Sequence, residues 1–334
     1  MAIVFTQASG LNDGVFGKIQ APLRMMIEQK AEAFQQKSLL DKLFFMDKGT
    51  HFAESISSMT GMDDWEPVGE NGPRPKTDMQ EGYRKMLQSM TWKSEFEISA
   101  EAMEDSQVMD LRGRPTKFTN AYYRTRENFG HALFGAAING QTEMTFGGKK
   151  FDATAADGLA LFSKVHTSPV DKKLKQSNQF SNPFSEDALG LAETAMQNFL
   201  GDKGEILSVG PDTIVIPNDA ALKKAVLSCI GADKHDADST NGFNYQYGRW
   251  NVIIDPYLNR FIAPGVKPWI LLDSAYNQEY VGAWWVDRLE MKVHSYLNEK
   301  SDANVWAGRA RFSATFNDWR AFCIGGIEGG TELT

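Results

Sequence analysis

The chain has 334 residues, 42% hydrophobic, 23% charged and 11% aromatic, a composition that fits a soluble globular chain of about two domains with a sizeable core. A formal net charge of −8, with Lys and Arg scattered among acids, excludes a general nucleic-acid binder, because phosphate affinity rests on clustered cations. Only Cys229 and Cys323 are present, which excludes a disulfide framework and points to a reducing compartment, and no apolar run approaches the roughly 18 residues of a membrane span.

The opening Met1-Ala-Ile-Val-Phe5 lacks the basic flank of a signal peptide. Residues 1 to about 45 read as a polar arm: Met25, Met26 and Ile27 follow Pro22, and Phe34, Leu39, Leu40, Leu43 and Phe44 make no single clean stripe. Next comes Gly69-Glu-Asn-Gly-Pro-Arg74-Pro-Lys76, which cannot pack a core and reads as the tip of a ribbon, with Trp65 and Val68 ahead of it. From Met86 to Ile98 the even positions, Met86, Met90, Trp92, Phe96 and Ile98, carry the large apolar groups, while Ser89, Thr91, Lys93, Glu95 and Glu97 fall on the other face. This predicts one arm of that ribbon. A two-stranded ribbon is marginal in water and needs a surface to dock on. That surface is either its own body or a neighbouring subunit, and the pattern alone admits both.

After Arg112-Gly-Arg114-Pro115, the positions Phe118, Tyr122, Thr125, Phe129, Ala132, Leu133 and Ala136 recur at helical steps, with Arg124, Arg126, Glu127 and Asn128 off that line. A helix over 116–139 would be about 36 Å long at roughly 1.5 Å per residue, long enough to form a domain's spine. Ser185 caps a helix marked by Leu189, Ala192, Met196 and Phe199, and Asn218 caps another through Leu222, Val226 and Cys229, which reads as a core cysteine. Strands at Thr213–Ile216, Asn251–Ile254 and Trp269–Leu272 make an α/β segment of 185–275. The last sixty residues alternate again, with Leu289, Met291, Val293 and Leu297, then Trp306, Ala310, Phe312, Ala314 and Phe316. Their apolar face needs cover, and the spine helix offers the longest uncommitted stripe, which makes the first domain discontinuous around an insertion.

Chemical motifs mostly fail. Gly135-Ala-Ala-Ile-Asn-Gly140-Gln-Thr142 has Gln141 where a phosphate-binding loop needs Lys, and its glycines end a helix. Asp233-Lys-His235-Asp236-Ala-Asp238 fits neither a calcium nor a zinc spacing and reads as a solvated loop. His166 and Ser168 lack a strained turn or oxyanion donor, so His166 reads as structural. His131 on the spine helix and His294 on a strand have no ligand spacing to another His or Cys. The chain therefore reads as no enzyme, with no catalytic residue, cofactor or metal.

Several fragments, in this order, carry a resemblance: the ribbon, Phe96-Glu-Ile-Ser-Ala-Glu-Ala-Met-Glu-Asp105, the spine helix, Asp157-Gly-Leu-Ala-Leu-Phe162-Ser-Lys-Val-His166, Pro211-Asp-Thr-Ile-Val-Ile-Pro217, Asp255-Pro-Tyr-Leu258, Trp269-Ile-Leu-Leu-Asp273 and Asn317-Asp-Trp-Arg320. Together they resemble the major capsid proteins of tailed bacteriophages, nearest to the Mu-like major head subunit branch, over nearly the whole chain from about residue 50. The resemblance implies an α+β Johnson fold. It would comprise an N-terminal arm (1–50), an extended β-hairpin loop (51–98), a peripheral domain with spine helix and antiparallel sheet (99–184 and 276–334), and an inserted α/β axial domain (185–275). It also implies self-assembly through hexamers and pentamers into an icosahedral shell around phage DNA, held without sequence-specific binding and without a membrane. The arm is too short for a cleaved scaffolding region, so a separate scaffold or none is expected, beside a portal and decoration proteins. The virion is then the location, after assembly in the host bacterial cytoplasm.

Trp65 and Trp92 are the candidate buried anchors between subunits, and Arg74, Lys76, Arg112 and Arg114 the candidate charged contacts; for the last two a solvated basic turn is the plainer reading. Lys76 and Lys85 are candidates, by position only, for the lysine that some family members cross-link, but no flanking residue singles out either, and a solvated charge is the plainer reading. Encapsulins share the fold, so a nanocompartment shell is the alternative. An unrelated α/β enzyme is the other rival, and it would need a cleft of perturbed titratable groups that the sequence does not show.

Overall fold

The computed structural model describes Val4–Phe5 and residues 38–62, 64–70, 72–101, 108–231 and 244–333, with backbone alone at 4–5 and 108–112. In chain order the elements are β1 (Val4–Phe5), α1 (Leu40–Leu43), β2 (Phe45–Asp47), β3 (Ala53–Met59), β4 (Glu81–Gln88), β5 (Met90–Ser99), α2 (Val108–Ile138), β6 (Glu143–Phe146), β7 (Lys149–Asp152), β8 (His166–Thr167), β9 (Lys175–Gln176), α3 (Glu186–Gln197), β10 (Thr213–Pro217), α4 (Ala220–Ile230), β11 (Asn251–Asp255), β12 (Trp269–Leu272), α5 (Ser274–Glu279), β13 (Ala283–Asn298), β14 (Ala303–Phe316) and β15 (Phe322–Gly325). The chain divides into two compact units, one of Met1–Glu54, Leu87–Gly130 and Trp285–Ala314, the other of Ser55–Met86, His131–Trp284 and Thr315–Thr334.

In the first unit the sheet runs β1-β13-β14-β5, with β2 also on β13. The antiparallel β14–β5 ladder extends from Ala303↔Ser99 to Phe312↔Met90. Its apolar face is buried on the spine helix, as the alternation in both C-terminal strands predicts. Phe129 meets Trp92, Trp285 and Phe312 with ring centroids 5.4, 5.9 and 5.9 Å apart, and Phe96, stacked on its cross-strand partner Trp306, meets Phe118 at 5.2 Å. Edge-to-face and stacked pairs of this kind add to plain area burial.

The helix differs from expectation at its start. It begins at Val108, ahead of the expected 116, and carries Pro115 inside it. Inside a helix, proline removes one backbone donor and crowds the carbonyl four residues back, which favours a kink or a break; here the helix nevertheless runs through Pro115, and the Thr119 hydroxyl donates to the Pro115 carbonyl at 3.0 Å. Arg126 and Glu127, placed off the apolar line by periodicity, are buried. The end of the arm is core as well: Leu40, Leu43 and Phe44 are buried, and a Cβ at Gly130 would stand 2.4 Å from Leu40 Cδ2, so glycine is what allows the close approach.

The long strand Met86–Ile98 is two strands with opposite phase. In β4 the odd residues Lys85 and Leu87 are buried and Met86 is 67% exposed; beyond Ser89 the even residues Met90, Trp92, Phe96 and Ile98 turn inward as expected. A one-residue interruption exchanges the faces of everything beyond it. β4 pairs with β3, and β5 with β14.

In the second unit the sheet order is β11-β10-β12-β15, with β10 and β11 parallel and the other pairs antiparallel. The three expected strands are there, and a fourth, β15, comes from the C-terminal segment, whose alternation predicts strands on the spine helix instead. Ser185 caps α3 by accepting from Ala188 N, as expected; the cap of α4 is Asp219, one residue past Asn218, accepting from Leu222 N at 2.9 Å. Cys229 is buried on α4, which pushes its thiol up to about 11.

Candidate assembly surface

The β3–β4 hairpin carries an exposed tip. It closes where Thr60 N donates to the Gln80 carbonyl at 2.9 Å and Gln80 N donates to the Thr60 hydroxyl at 2.9 Å. Beyond that closure, the described tip residues are nearly all exposed, and among them Trp65 is 96% exposed, with Met62, Val68 and Met79 also open to solvent. Arg74 and Lys76 are exposed on the same tip.

The base of the hairpin is held firmly within its unit. Lys85 is buried, and its ammonium donates to Asp152 Oδ2 at 2.7 Å, to the Thr154 carbonyl at 2.7 Å and to the Thr154 hydroxyl at 2.8 Å, using all its donors. Burial lowers the Lys85 pKa, opposed by Asp152. Burial alone would raise the Asp152 carboxyl, but the Lys85 and Thr154 donors hold it below the usual range. The Tyr83 hydroxyl donates to the Thr167 carbonyl at 3.2 Å and Lys203 Nζ to the Asp78 carbonyl at 2.7 Å. Lys85 is thus engaged in the fold, which leaves Lys76 as the accessible one of the two loop lysines.

Trp92 belongs to its own unit: it stacks on Phe312 at 4.8 Å, and its indole N–H donates to the Phe312 carbonyl at 3.1 Å. It is a packing residue, because β5 lies in the sheet and not in the ribbon. Arg114 is exposed, yet its guanidinium donates to the Glu97 carbonyl at 2.8 Å. The Arg112 side chain and residues 233–238 lie outside the described residues.

The second unit also holds two buried histidine clusters that periodicity does not reveal. His166 Nδ1 is 2.6 Å from Asp157 Oδ2, its Nε2 is 3.1 Å from Asn178 Oδ1, and its ring stacks on Trp319 at 4.2 Å. Asn178 is oriented by its amide donating to the Leu161 and Phe322 carbonyls at 2.8 and 3.1 Å. His131 Nε2 is 2.7 Å from Asp255 Oδ2, with the Tyr257 ring 5.0 Å away. The fragments Asp157–His166, Asp255–Leu258 and Asn317–Arg320 therefore hold this unit together from within. Ser168 is structural: its hydroxyl donates to the Asp202 carbonyl at 2.7 Å. No group of three or more metal-ligating side chains occurs among the described residues.

The hairpin thus combines a fixed base with an open apolar tip. The structure of the capsid of cyanophage P-SCSP1u superposes with a TM-score of 0.54 at 10% identity, over 86% of this chain and 88% of that one. The capsid of Myoviridae phage XM1 gives 0.50 at 12% identity, over 86% and 90%. These likenesses show the fold, the α+β Johnson fold of phage capsids. No curated protein matches the chain. The family model described as phage capsid protein matches residues 83–325, and the chain belongs to that family, as a structural major capsid protein of a phage head.

Proposed function

We infer that copies of this chain assemble through hexamers and pentamers into an icosahedral shell that encloses phage DNA, with Trp65 and the hairpin tip docked on a neighbouring copy. The observation that carries the reading is the contrast within one hairpin: a base fixed by buried Lys85 and a tip whose Trp65 is 96% exposed. An aromatic group held out in water is unfavourable in a lone subunit and becomes a buried anchor once a partner covers it. Many such small, geometrically closed contacts add up to a shell. A separate scaffold, a portal and decoration proteins, assembly in the host cytoplasm and kinship with the Mu-like head subunits belong to the same proposal, and the order of the sequence fragments supports the last of these. A phage capsid model matching most of the chain favours the virion over the nanocompartment. The division of the chain into arm, extended loop, peripheral and axial domains is part of the proposal too.

The experiment is electron microscopy of the purified parent chain and of Trp65→Ala. Shells from the parent, and open or absent shells from a folded variant, are the expected pair of results. Intact shells from the variant would remove the tip from the assembly mechanism.

A further inference from the structure

The small β8–β9 hairpin of the second unit is a basic knob in an acidic chain. Residues 164–175 hold four lysines, Lys164, Lys172, Lys173 and Lys175, against one acid, Asp171. All four lysines are exposed, and none enters an ion pair among the described residues. Asp171 is turned onto its own backbone, where Oδ1 accepts from Lys173 N at 2.9 Å. Apolar groups lie among the charges: Val165 is 44% and Val170 41% exposed. Val165 and Thr167 alternate with the buried His166, and Lys175 stands opposite Thr167, so Val165 and Lys175 share the outer face. The turn is held from beneath. Ser168 is buried, and its hydroxyl donates to the Asp202 carbonyl at 2.7 Å while accepting from Val170 N at 3.1 Å and Asp171 N at 3.2 Å. The knob therefore presents its lysines and valines in a fixed arrangement, which lowers the entropy lost on binding.

The same unit carries the complementary surface. Residues 62–70, on the tip of the β3–β4 hairpin, hold four acids and no base. Asp64, Glu66 and Glu70 are exposed around Trp65 and Val68, and none of the three enters an ion pair among the described residues. A chain's own knob does not cover its tip, since Trp65 stays 96% exposed.

We propose that the acidic tip of one copy docks on the β8–β9 knob of the next, with Trp65 and Val68 against Val165 and Val170, and Asp64 and Glu66 facing Lys172 and Lys173. Burial of the tryptophan supplies affinity, and the charges choose the partner and its orientation. A nucleic-acid duplex is the poorer occupant, because a phosphate backbone leaves both valines uncovered. Tip and knob are different patches, so the contact is heterologous: each copy gives a tip to one neighbour and a knob to the other, and the chain of contacts closes as a ring when the rotation between copies closes. This inference rests on the reading that the tip docks on a neighbouring copy, and it names the patch that receives it.

The test cross-links the full chain with a carbodiimide, which joins a carboxylate to an amine only where the two touch, in a mixture of isotope-labelled and unlabelled copies. Mass spectrometry should find Asp64 or Glu66 linked to Lys172 or Lys173 across a labelled and an unlabelled peptide. Asp64→Lys/Glu66→Lys and Lys172→Glu/Lys173→Glu, all at exposed positions, should each keep the circular dichroism of the parent and lose rings and shells in negative-stain images, and all four changes in one chain should restore them. Absence of the mixed link in the parent, or shells from either two-residue variant, overturns the proposal. The two readings fail separately. A mixed link without shells keeps the contact and refutes the shell, whereas shells without the link keep the shell and refute the contact. A fluorescent duplex that binds the parent and not Lys172→Glu/Lys173→Glu, with shells unchanged in that variant, assigns the lysines to a polyanion and overturns the proposal as well.

Discussion

Arg126 and Asp287 form a buried two-pronged ion pair, Nη1 to Oδ1 at 2.6 Å and Nη2 to Oδ2 at 2.8 Å, that joins the spine helix to β13. The guanidinium also lies 4.8 Å from the Trp285 ring centroid and 5.1 Å from that of Phe312, so its charge is held between carboxylate and aromatic faces. Removing one partner strands a charge in the core: Arg126→Ala or Asp287→Ala should each cost about 3–5 kcal/mol. Replacing both by apolar residues of similar volume should cost much less. Urea denaturation of the three proteins checks this, and equal losses for single and double replacements would contradict it.

Gly130→Ala sets helix propensity against packing. Alanine gains about 1 kcal/mol of propensity in a helix interior, whereas overpacking a core typically costs about 1–3 kcal/mol. The added methyl would sit 2.4 Å from Leu40 Cδ2 and 3.1 Å from Phe44 Cε2, both on buried side chains, so packing should win. The variant should have a lower Tm than the parent, and a higher one would mean that α1 yields easily.

Asp152 makes the hairpin base sensitive to acid. Its folded pKa is held below the ordinary value near 3.9, so its stabilisation is complete at neutral pH and is lost as pH falls through the depressed folded pKa. Hydrogen exchange in β4 should therefore accelerate below about pH 4 in the parent. Asp152→Asn should exchange faster already at pH 7, with a weaker change on acidification.

Trp65→Ala should leave the thermal unfolding of the isolated chain within about 0.5 kcal/mol of the parent, because a side chain 96% exposed has little packing to lose. Trp92→Ala should lower it by about 3 kcal/mol, through lost stacking on Phe312 and Phe129. Calorimetry of both variants separates the surface tryptophan from the packed one. A large loss at Trp65 would place it in a core.

The two tryptophans also show how far the sequence could be read. Alternation located β5 and β14, and the 3.6-residue stripe located the spine helix, because each element buries one face on another. Alternation looks continuous through Ser89 and so places Trp92 on the ribbon, whereas the change of sheet there reverses the inward face. Arg126 and Glu127 look like solvent residues by type, and only their partners Asp287 and Ser38, distant in sequence, show them to be buried. Pairing at such separation leaves no local signal, which is also why the cluster of His166, Asp157, Asn178 and Trp319 could be seen only as scattered fragments. The exposed Trp65 on a Gly- and Pro-rich tip was legible, since nothing nearby in sequence could cover it.

The central claim is assembly, and the mass of the purified full chain tests it most directly. Light scattering on a sizing column, read with negative-stain images, should give rings or megadalton shells built from the 37.3 kDa chain. A monodisperse 37.3 kDa species at every concentration, persisting when molecular crowders favour association, would contradict it.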